Sequence, residues 1–183
     1  LFGHADQRVR MKAQFELVKR EALAELTSAA AMVEAAPLAR LHAIWGIGQL
    51  IRRAAAKDDA LTALFGDPDP EVRAQAIKTV TDRYGRLLGL DVIPAPTKEG
   101  HALTSTLLPL LEDPSQRVRS QALLGLGRLR DPAAAADIIK LLGRKEHHHG
   151  LTYLRHAGVI ALAGSAPTEL LAGLAGDSSD FLR

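Results

Sequence analysis

The chain has 183 residues, which suits one compact domain or one short repeat array, and only 4% of them are aromatic. Its 23 basic and 21 acidic residues are mixed along the chain, so no strong field favours nucleic acid or an anionic membrane. The absence of cysteine excludes disulfides and thiolate zinc sites from this sequence, and no apolar run is long enough to span a bilayer.

One ten-residue phrase organises the sequence. It reads LFGHADQRVR from Leu1 to Arg10, and it returns as LFGDPDPEVR at 64–73 and as LLEDPSQRVR at 110–119. A weaker copy, LAGDSSDFLR, occupies 174–183. We interpret each copy as the end of one apolar helix, a tight turn and the start of the next helix. Such recurrence is typical of a helical repeat array.

Two kinds of helix are predicted to alternate along the chain. Apolar residues at steps of three and four after each motif arginine define the arginine-led helices, and paired leucines or isoleucines define the others. The residues Asp6, Asp69, Ser115 and Asp131 are predicted N-caps. Each hairpin must stack on its neighbours to bury its apolar stripe. The predicted helices span about 7–20, 22–34, 37–54, 58–66, 69–84, 101–112, 115–130, 133–143, 151–164 and 166–176.

Two insertions interrupt the repeat period. The segment 86–100 is rich in glycine and proline, and the segment 143–150 carries three consecutive histidines. Loops that project from a repeat array are common positions for binding residues, although a tolerated surface insertion is the simpler interpretation. The whole chain, 1–183, is interpreted as one solenoid domain. Since it starts and stops inside a repeat, we expect it to be a fragment of a longer protein.

The repeated phrase resembles that of a known family. The pattern Asp-Pro-x-x-x-Val-Arg-x-x-Ala from Asp67 to Ala76, with the stretch QRVRSQALLGLG at 116–127, is similar to HEAT repeats, and the similarity covers nearly the whole chain. It implies an all-α fold, a right-handed α-α superhelix of about five helical hairpins. It also implies that the arginine-led helices line the concave side.

The same resemblance implies a structural ladder. In HEAT repeats, turn aspartates and motif arginines form polar contacts between successive repeats. The corresponding residues in this sequence are Asp67, Arg73, Asp113 and Arg119. The copies around Arg40 and Arg155 lack the turn aspartate, so the ladder is not expected to continue there in the same form.

A narrower resemblance concerns three stretches, GHADQRVRMKAQFELVKR, ARLHAIWGIGQL and LRHAGVIALAG. They are similar to the HEAT segment of large bacterial proteins in which a sugar-dehydrogenase-like propeller, HEAT repeats and a c-type haem-binding domain share one chain. This resemblance implies a spacer between redox domains and a periplasmic or cell-envelope location. Neither the propeller nor the haem motif lies in this sequence, so neither activity is assigned to it.

Histidines provide one candidate site. Imidazole nitrogens bind zinc, copper or nickel, and His147, His149 and His156 lie close together in the sequence. Consecutive residues point in different directions, however, and no helix carries two histidines four residues apart. A polar loop without a metal is the simpler interpretation, and we predict no cofactor.

A second candidate is a polar row on the arginine-led helices. Positions three and ten after the motif valine lie on one side of each helix, and their mixed charges suit a protein or peptide better than a polyanion. A solvated face without a ligand is the alternative. The residues of this row are Lys12, Lys19, His42, Gln49, Gln75, Asp82, Gln121 and Arg128.

No catalytic motif emerges from the sequence. Trp45 is predicted to lie in the core, and the glycines at 46, 48, 125 and 127 are predicted to allow close helix packing. We therefore predict a non-catalytic protein–protein interaction module or interdomain scaffold, bound to another protein or to a flanking domain. The alternatives are a HEAT-like enzyme that acts on DNA bases or attaches bilin chromophores, and a metal-binding module that uses the histidine loop. Nucleic acid is not the expected partner.

Overall fold

A computed structural model describes residues 1–85, 97–144 and 152–177, and every regular element in these ranges is helical. The prediction of an all-α fold is confirmed. The α-helices in these ranges are α1 Gln7–Lys19, α2 Leu23–Ala31, α3 Pro37–Arg52, α4 Asp59–Thr62, α5 Pro70–Thr81, α6 Lys98–Leu107, α7 Gln116–Leu129, α8 Ala135–Leu142, α9 Thr152–Ser165 and α10 Thr168–Leu174.

Short 3-10 helices account for most differences from the predicted boundaries. Ala63–Gly66 continues α4, Asp82–Tyr84 continues α5, Leu108–Glu112 continues α6 and Pro132–Ala134 precedes α8. Proline has no backbone N–H, so Pro109 cannot donate the α-helical hydrogen bond, and the chain tightens there. The predicted segments 58–66, 69–84, 101–112 and 133–143 are therefore helical over most of their length, but part of each of these four is wound more tightly.

The predicted N-caps explain where several helices begin. The carboxylates of Asp6, Asp69 and Asp131 each accept a hydrogen bond from the backbone amide two residues later, at 2.8, 2.8 and 3.0 Å. Ser115 has the extended backbone of an N-cap before α7, but its side chain makes no capping hydrogen bond. The cap chemistry inferred from the sequence is thus confirmed at the three aspartates.

The chain divides into two compact units, Leu1–Arg83 and Tyr84–Arg183. In unit 1, α3 packs against α1, α2 and α5, and its residues Ala43, Ile44 and Ile47 are completely buried. In unit 2, α7 packs against α6 and α9, and α8 also packs against α9. The interpretation of 1–183 as one solenoid domain, and the right-handed superhelix, remain predictions.

Glycines allow two helix backbones of unit 2 to touch. A Cβ atom added to Gly127 on α7 would lie 2.9 Å from the Cα of Ala161 on α9, and one added to Gly164 would overlap the carbonyl of Gly127. In unit 1, a Cβ at Gly46 would lie 2.8 Å from a Leu26 methyl group. The interpretation of these glycines as close-packing residues is therefore confirmed at Gly46 and Gly127.

The motif arginine makes the same hydrogen bonds in the three strongest copies of the phrase. The Nη1 atoms of Arg10, Arg73 and Arg119 donate to the backbone carbonyl six residues earlier, at 2.6, 2.7 and 2.7 Å. Each also donates to the carbonyl five residues earlier. The arginine therefore satisfies the carbonyls of its own turn and fixes the entry into the next helix.

The link between successive repeats at Asp67 is made by Arg40. The Arg40 guanidinium forms a two-pronged ion pair with the Asp67 carboxylate, with Nη1 3.1 Å from Oδ1 and a second, shorter contact between Nη2 and Oδ2. The side chains are only 2% and 5% exposed. The Nε of Arg40 donates to the Ala30 carbonyl at 2.8 Å.

This pair changes the ladder implied by the family resemblance. The copy around Arg40 has no turn aspartate, so the ladder was not expected to continue there in the same form. Arg40 nevertheless forms a buried ion pair with Asp67 of the next turn. Arg73 and Arg119 each contact the carbonyls of their own turns, as described above. The Asp113 carboxylate accepts a hydrogen bond from the backbone amide of Ser115 at 2.8 Å. A role between repeats for these last three ladder residues remains a prediction.

Candidate functional site

The predicted polar row is only partly exposed. On α1, Lys12 and Lys19 point into solvent. Gln49 on α3, Gln75 on α5 and Asp82 in the 3-10 helix that continues α5 are half-buried. In unit 1 the row is therefore open mainly at α1, and its two open positions are both basic.

Two members of the row are not surface residues, which corrects the prediction of a continuous exposed face. His42 on α3 is 4% exposed, and Gln121 on α7 is 9% exposed. Arg128, about two turns further along the same side of α7, is half-buried. Both buried residues follow their motif arginine by two positions, as do the exposed Lys12 and the half-buried Gln75, so burial at this position differs from copy to copy. Any binding role for the row must rest on its other members.

His42 is buried because it joins α1 to α3. Its Nδ1 lies 2.8 Å from Oε1 of Gln14, and Nε of Arg10 donates to its Nε2 at 3.3 Å. An amide oxygen only accepts and a guanidinium N–H only donates, so the imidazole must be neutral with its proton on Nδ1. The ring also stacks on Phe2 and meets the edge of Trp45, with centroid distances of 6.3 and 5.0 Å.

Lowering the pH is expected to destabilise unit 1 through His42. Burial, and next the charge of Arg10, hold the pKa of the His42 imidazole below its ordinary value of 6.5. As the pH falls through about 6.5, the unfolded chain binds a proton that the folded chain resists, so the free energy of unfolding decreases. Urea unfolding followed by the fluorescence of Trp45, the single tryptophan, should show this slope.

The matched variants separate His42 from other titrating groups. The substitution His42→Gln is expected to flatten the dependence of unit 1 stability on pH between about 7.5 and 5, because no proton is then taken up at this position. His156→Gln, an exposed change on α9 in unit 2, should leave the slope read by Trp45 as in the unsubstituted chain. An unchanged slope in His42→Gln would contradict the assignment of the neutral, hydrogen-bonded imidazole.

Polar contacts also join α3 to α5. The indole Nε1 of Trp45 donates to Oε1 of Gln75 at 3.0 Å, and Nε2 of Gln75 donates to Glu71 at 2.9 Å. One turn later, Lys78 forms an ion pair with Asp82 at 2.6 Å. Gln75 and Asp82, two members of the polar row, thus contact neighbouring side chains, which fixes their positions at the surface.

A second row, five residues after each motif arginine, was missed by the sequence analysis. Its members are large, mostly apolar and at least partly exposed, and Phe15 is 50% exposed. Trp45 belongs to this row and is half-buried, so its predicted place in the core is wrong. The sequence shows this row as large residues at one repeated position, whereas the predicted binding row contained only polar residues. The residues of the row are Phe15, Trp45, Lys78, Leu124 and Ile160.

We call the surface formed by Lys12, Phe15, Lys19, Trp45 and Gln49 the aromatic face. It lies on α1 and α3, which pack directly against each other. Its two aromatic side chains occupy the same register position on neighbouring helices, and polar side chains flank them. An apolar centre with a polar rim is the usual organisation of a protein-binding surface.

A histidine–aspartate pair in unit 2 was also missed. Nδ1 of His101, an exposed residue on α6, lies 2.6 Å from Oδ2 of the buried Asp131. Burial alone would raise the pKa of the Asp131 carboxyl, but the backbone amide of Ala133 and the His101 side chain hold that pKa below its ordinary value. The residues are 30 positions apart, and no local spacing connects them. In this structure the pair ties the start of α6 to the turn before α8.

The histidine site remains untested at its centre. His147 and His149, and most of both predicted insertions, lie outside the described residues. His156 is exposed on α9. Within the parts of the chain that the structure describes, no three metal-ligating side chains converge. In the same parts, no helix combines the length and the apolar character that crossing a bilayer requires.

Comparison with known families agrees with the turn geometry. Residues 104–183 match the model for HEAT repeats. The described part of the chain is all-α, as a HEAT-type repeat fold requires. Repeats of this family generally mediate protein–protein interaction or scaffolding. No curated protein matches the chain. The matched range contains Arg119, whose contacts with its own turn are repeated at Arg10 and Arg73 in the part of the chain that precedes the match.

Proposed function

We propose that the chain is a non-catalytic protein-binding module that holds its partner on the aromatic face. The observation that carries this proposal is the half-exposed Phe15 beside α3, where Trp45 is fixed by its hydrogen bond to Gln75. A tryptophan whose indole is already held loses little conformational freedom when a partner covers it. Buried aromatic anchors contribute most of the binding energy at many protein interfaces.

The rim of the aromatic face favours a partner with acidic side chains. Lys12 and Lys19 are exposed on α1 at either side of Phe15, three positions before it and four after it. On the other side of α3, α5 carries Glu71, and its Lys78 is paired with Asp82, so the net positive charge of the aromatic face lies on the α1 side. An extended polyanion such as DNA would meet both signs, whereas an apolar protein segment with acidic flanks would find a complementary surface.

The partner can be found and the face tested in one sequence of experiments. A photo-crosslinking amino acid at position 15 would capture the bound protein in cells, and the captured protein would then be purified and titrated by calorimetry. Phe15→Ala is expected to weaken binding by about tenfold or more, since a central aromatic anchor is lost. Lys12→Glu is expected to slow association and weaken binding, with the difference from the unsubstituted chain shrinking at high salt.

Two controls match these substitutions in chemistry. Tyr153 on α9 is 83% exposed, and Lys98 opens α6, so Tyr153→Ala and Lys98→Glu remove the same kinds of group from unit 2. Both should leave affinity unchanged. If Phe15→Ala and Lys12→Glu bind as tightly as the unsubstituted chain, the aromatic face is not the binding surface. If the captured partner is a nucleic acid, the proposed class of partner is wrong.

The narrower form of this proposal is that the partner is a flanking domain of the same polypeptide. The resemblance to the HEAT segment of propeller and c-type haem proteins supports it, and a periplasmic or cell-envelope location would follow. The full reading frame on either side of these 183 residues tests it directly. Propeller blades or a haem-attachment motif there would support the spacer role, and their absence would count against it.

A further inference from the structure

The helix α3 is enclosed by its neighbours, but one narrow side of it remains open. Between Ala39 and Ile51 the residues that are not buried are Trp45 and Gln49. The exposed Arg52 continues this side, because positions 45, 49 and 52 are four and three residues apart on the helix. Both α1 and α5 pack against α3. The open side is therefore a feature of the packed helix and does not result from an end of the sequence.

The guanidinium of Arg52 lies back along α3, beside Gly48. A Cβ atom added to Gly48 would lie 3.5 Å from Nη1 of Arg52 and would overlap the methyl group of Thr79 on α5. Gly48 follows Trp45 by three residues, which is about 4.5 Å along the helix axis. The guanidinium is therefore about one helical turn from the indole, close to the contact between α3 and α5.

Arg52 differs in its ion pairing from the basic residues around it. The basic residues near the ends of α1 and α5 each form an ion pair: Arg20 with Glu16, Lys78 with Asp82 and Arg83 with Asp58. On α1 the acidic partner lies four residues before the arginine, but the residue four before Arg52 is Gly48. Within the ranges that the structure describes, the Arg52 guanidinium has no acidic partner.

The part of α5 nearest to Arg52 does not supply the missing charge. Gly48 lies against Thr79, so Arg52 lies next to the last residues of α5 and its 3-10 continuation. The basic side chains in that stretch are already paired, Lys78 with Asp82 at 2.6 Å and Arg83 with Asp58 at 3.1 Å. The charges of these pairs cancel, and the charge of Arg52 remains available to a bound anionic group.

We infer that Arg52 selects the partner by binding the carboxylate of an aspartate or glutamate while an apolar side chain of the same segment covers Trp45. This inference rests on the proposed function, in which Trp45 belongs to the binding surface. The planar guanidinium of arginine binds a carboxylate through two parallel hydrogen bonds, which an ammonium group cannot reproduce. Arg52 therefore extends the aromatic face with a group that reads one acidic side chain.

The separation of the two groups sets the spacing in the partner. The indole and the guanidinium are about 5 Å apart along α3. Alternate side chains of an extended segment lie on one face, about 7 Å apart, whereas adjacent side chains point to opposite faces. The bound segment should therefore carry its apolar and acidic residues two positions apart, and not next to each other.

Three capped pentapeptides test the chemistry and the spacing. Gly-Phe-Gly-Glu-Gly has the expected pattern, Gly-Phe-Gly-Gln-Gly removes the charge, and Gly-Phe-Glu-Gly-Gly keeps the composition but places the two residues side by side. Each is titrated into the 183-residue chain labelled with nitrogen-15, and the indole N–H resonance of Trp45, the single tryptophan, reports binding. The first peptide is expected to bind about fivefold more tightly than either of the others at low salt, and the difference should shrink as salt is added.

Two variants assign the preference to one side chain. Arg52→Gln is expected to remove the preference for the first peptide and to leave the affinity for the glutamine peptide unchanged. Arg53→Gln is the matched control and should keep the preference, because Arg53 is also exposed but lies about 100° further around the helix. Equal affinities of the three peptides for the unsubstituted chain, a preference that persists in Arg52→Gln, or no change of the Trp45 resonance with any peptide would overturn the inference.

The protein captured from position 15 separates this inference from the proposed function. Arg52→Gln is expected to weaken the binding of that protein about fivefold. If Phe15→Ala weakens its binding but Arg52→Gln does not, the inference about Arg52 is wrong and the aromatic face stands. If neither substitution weakens its binding, the aromatic face itself is not the binding surface.

Discussion

Replacing Asp67 with alanine is expected to lower the free energy of unfolding of unit 1 by about 3–5 kcal/mol, because it leaves the Arg40 guanidinium buried without a counter-charge. Arg40 is 2% exposed and cannot return to water without moving the end of α2, where its Nε donates to Ala30. The Asp67 carboxylate also accepts a hydrogen bond from the backbone amide of Asp69, which the alanine loses as well. The measurement is urea unfolding read by Trp45 fluorescence.

Three further substitutions separate the charge from the turn. Asp67→Asn keeps an oxygen for the Asp69 amide and removes the charge alone, so its effect should be large but smaller than that of alanine. The double variant Arg40→Met with Asp67→Asn should cost less than the sum of the two single changes. Each single change leaves one buried charge without its partner, whereas the double variant leaves none. Glu16→Ala breaks the exposed ion pair with Arg20, which water screens, so its effect on stability is expected to be small. Equal effects of Asp67→Ala and Glu16→Ala would contradict the account.

The repeated phrase was sufficient to predict the helices but not the polar contacts between them. Periodicity and cap residues mark the apolar stripe and the first turn of a helix, which depend on residues close in sequence. The partner of Arg40 lies 27 residues away, and that of His42 on α1 lies 28 residues away. Which side chain reaches across depends on how closely two helices approach, and the sequence does not contain that distance.

The candidate site shows the same division. The sequence correctly identified Lys12 and Lys19 as exposed, since positions three and ten after the motif valine lie on one side of α1. It wrongly placed His42 on the surface, since a polar residue two positions after the arginine was assumed to face water. In the structure the His42 side chain contacts α1, and the imidazole is accommodated because both of its nitrogens are hydrogen-bonded.

The substitution Gly164→Ala is expected to destabilise unit 2 by about 1–3 kcal/mol or more, although alanine is the better helix former by about 1 kcal/mol. The added methyl group would overlap the backbone carbonyl of Gly127, which cannot rotate away as a side chain can. The helices α7 and α9 would have to separate along their length, and their separation would loosen the packing of Leu123 and Leu126, which are fully buried. Urea unfolding followed by far-ultraviolet circular dichroism gives the size of the loss.

Gly173→Ala in α10 is the matched control, because no heavy atom lies within 4 Å of the Cβ it would add. It should be neutral or stabilise by up to about 1 kcal/mol through helix propensity alone. Gly127→Ala approaches the same contact from the other side, with Ala161 as the obstacle, and should cost a similar amount. If both changes act by separating α7 from α9, the double variant should lose less than the sum of the two, because the second methyl group enters space that the first has already opened. Full additivity would mean that the two glycines do not share one contact.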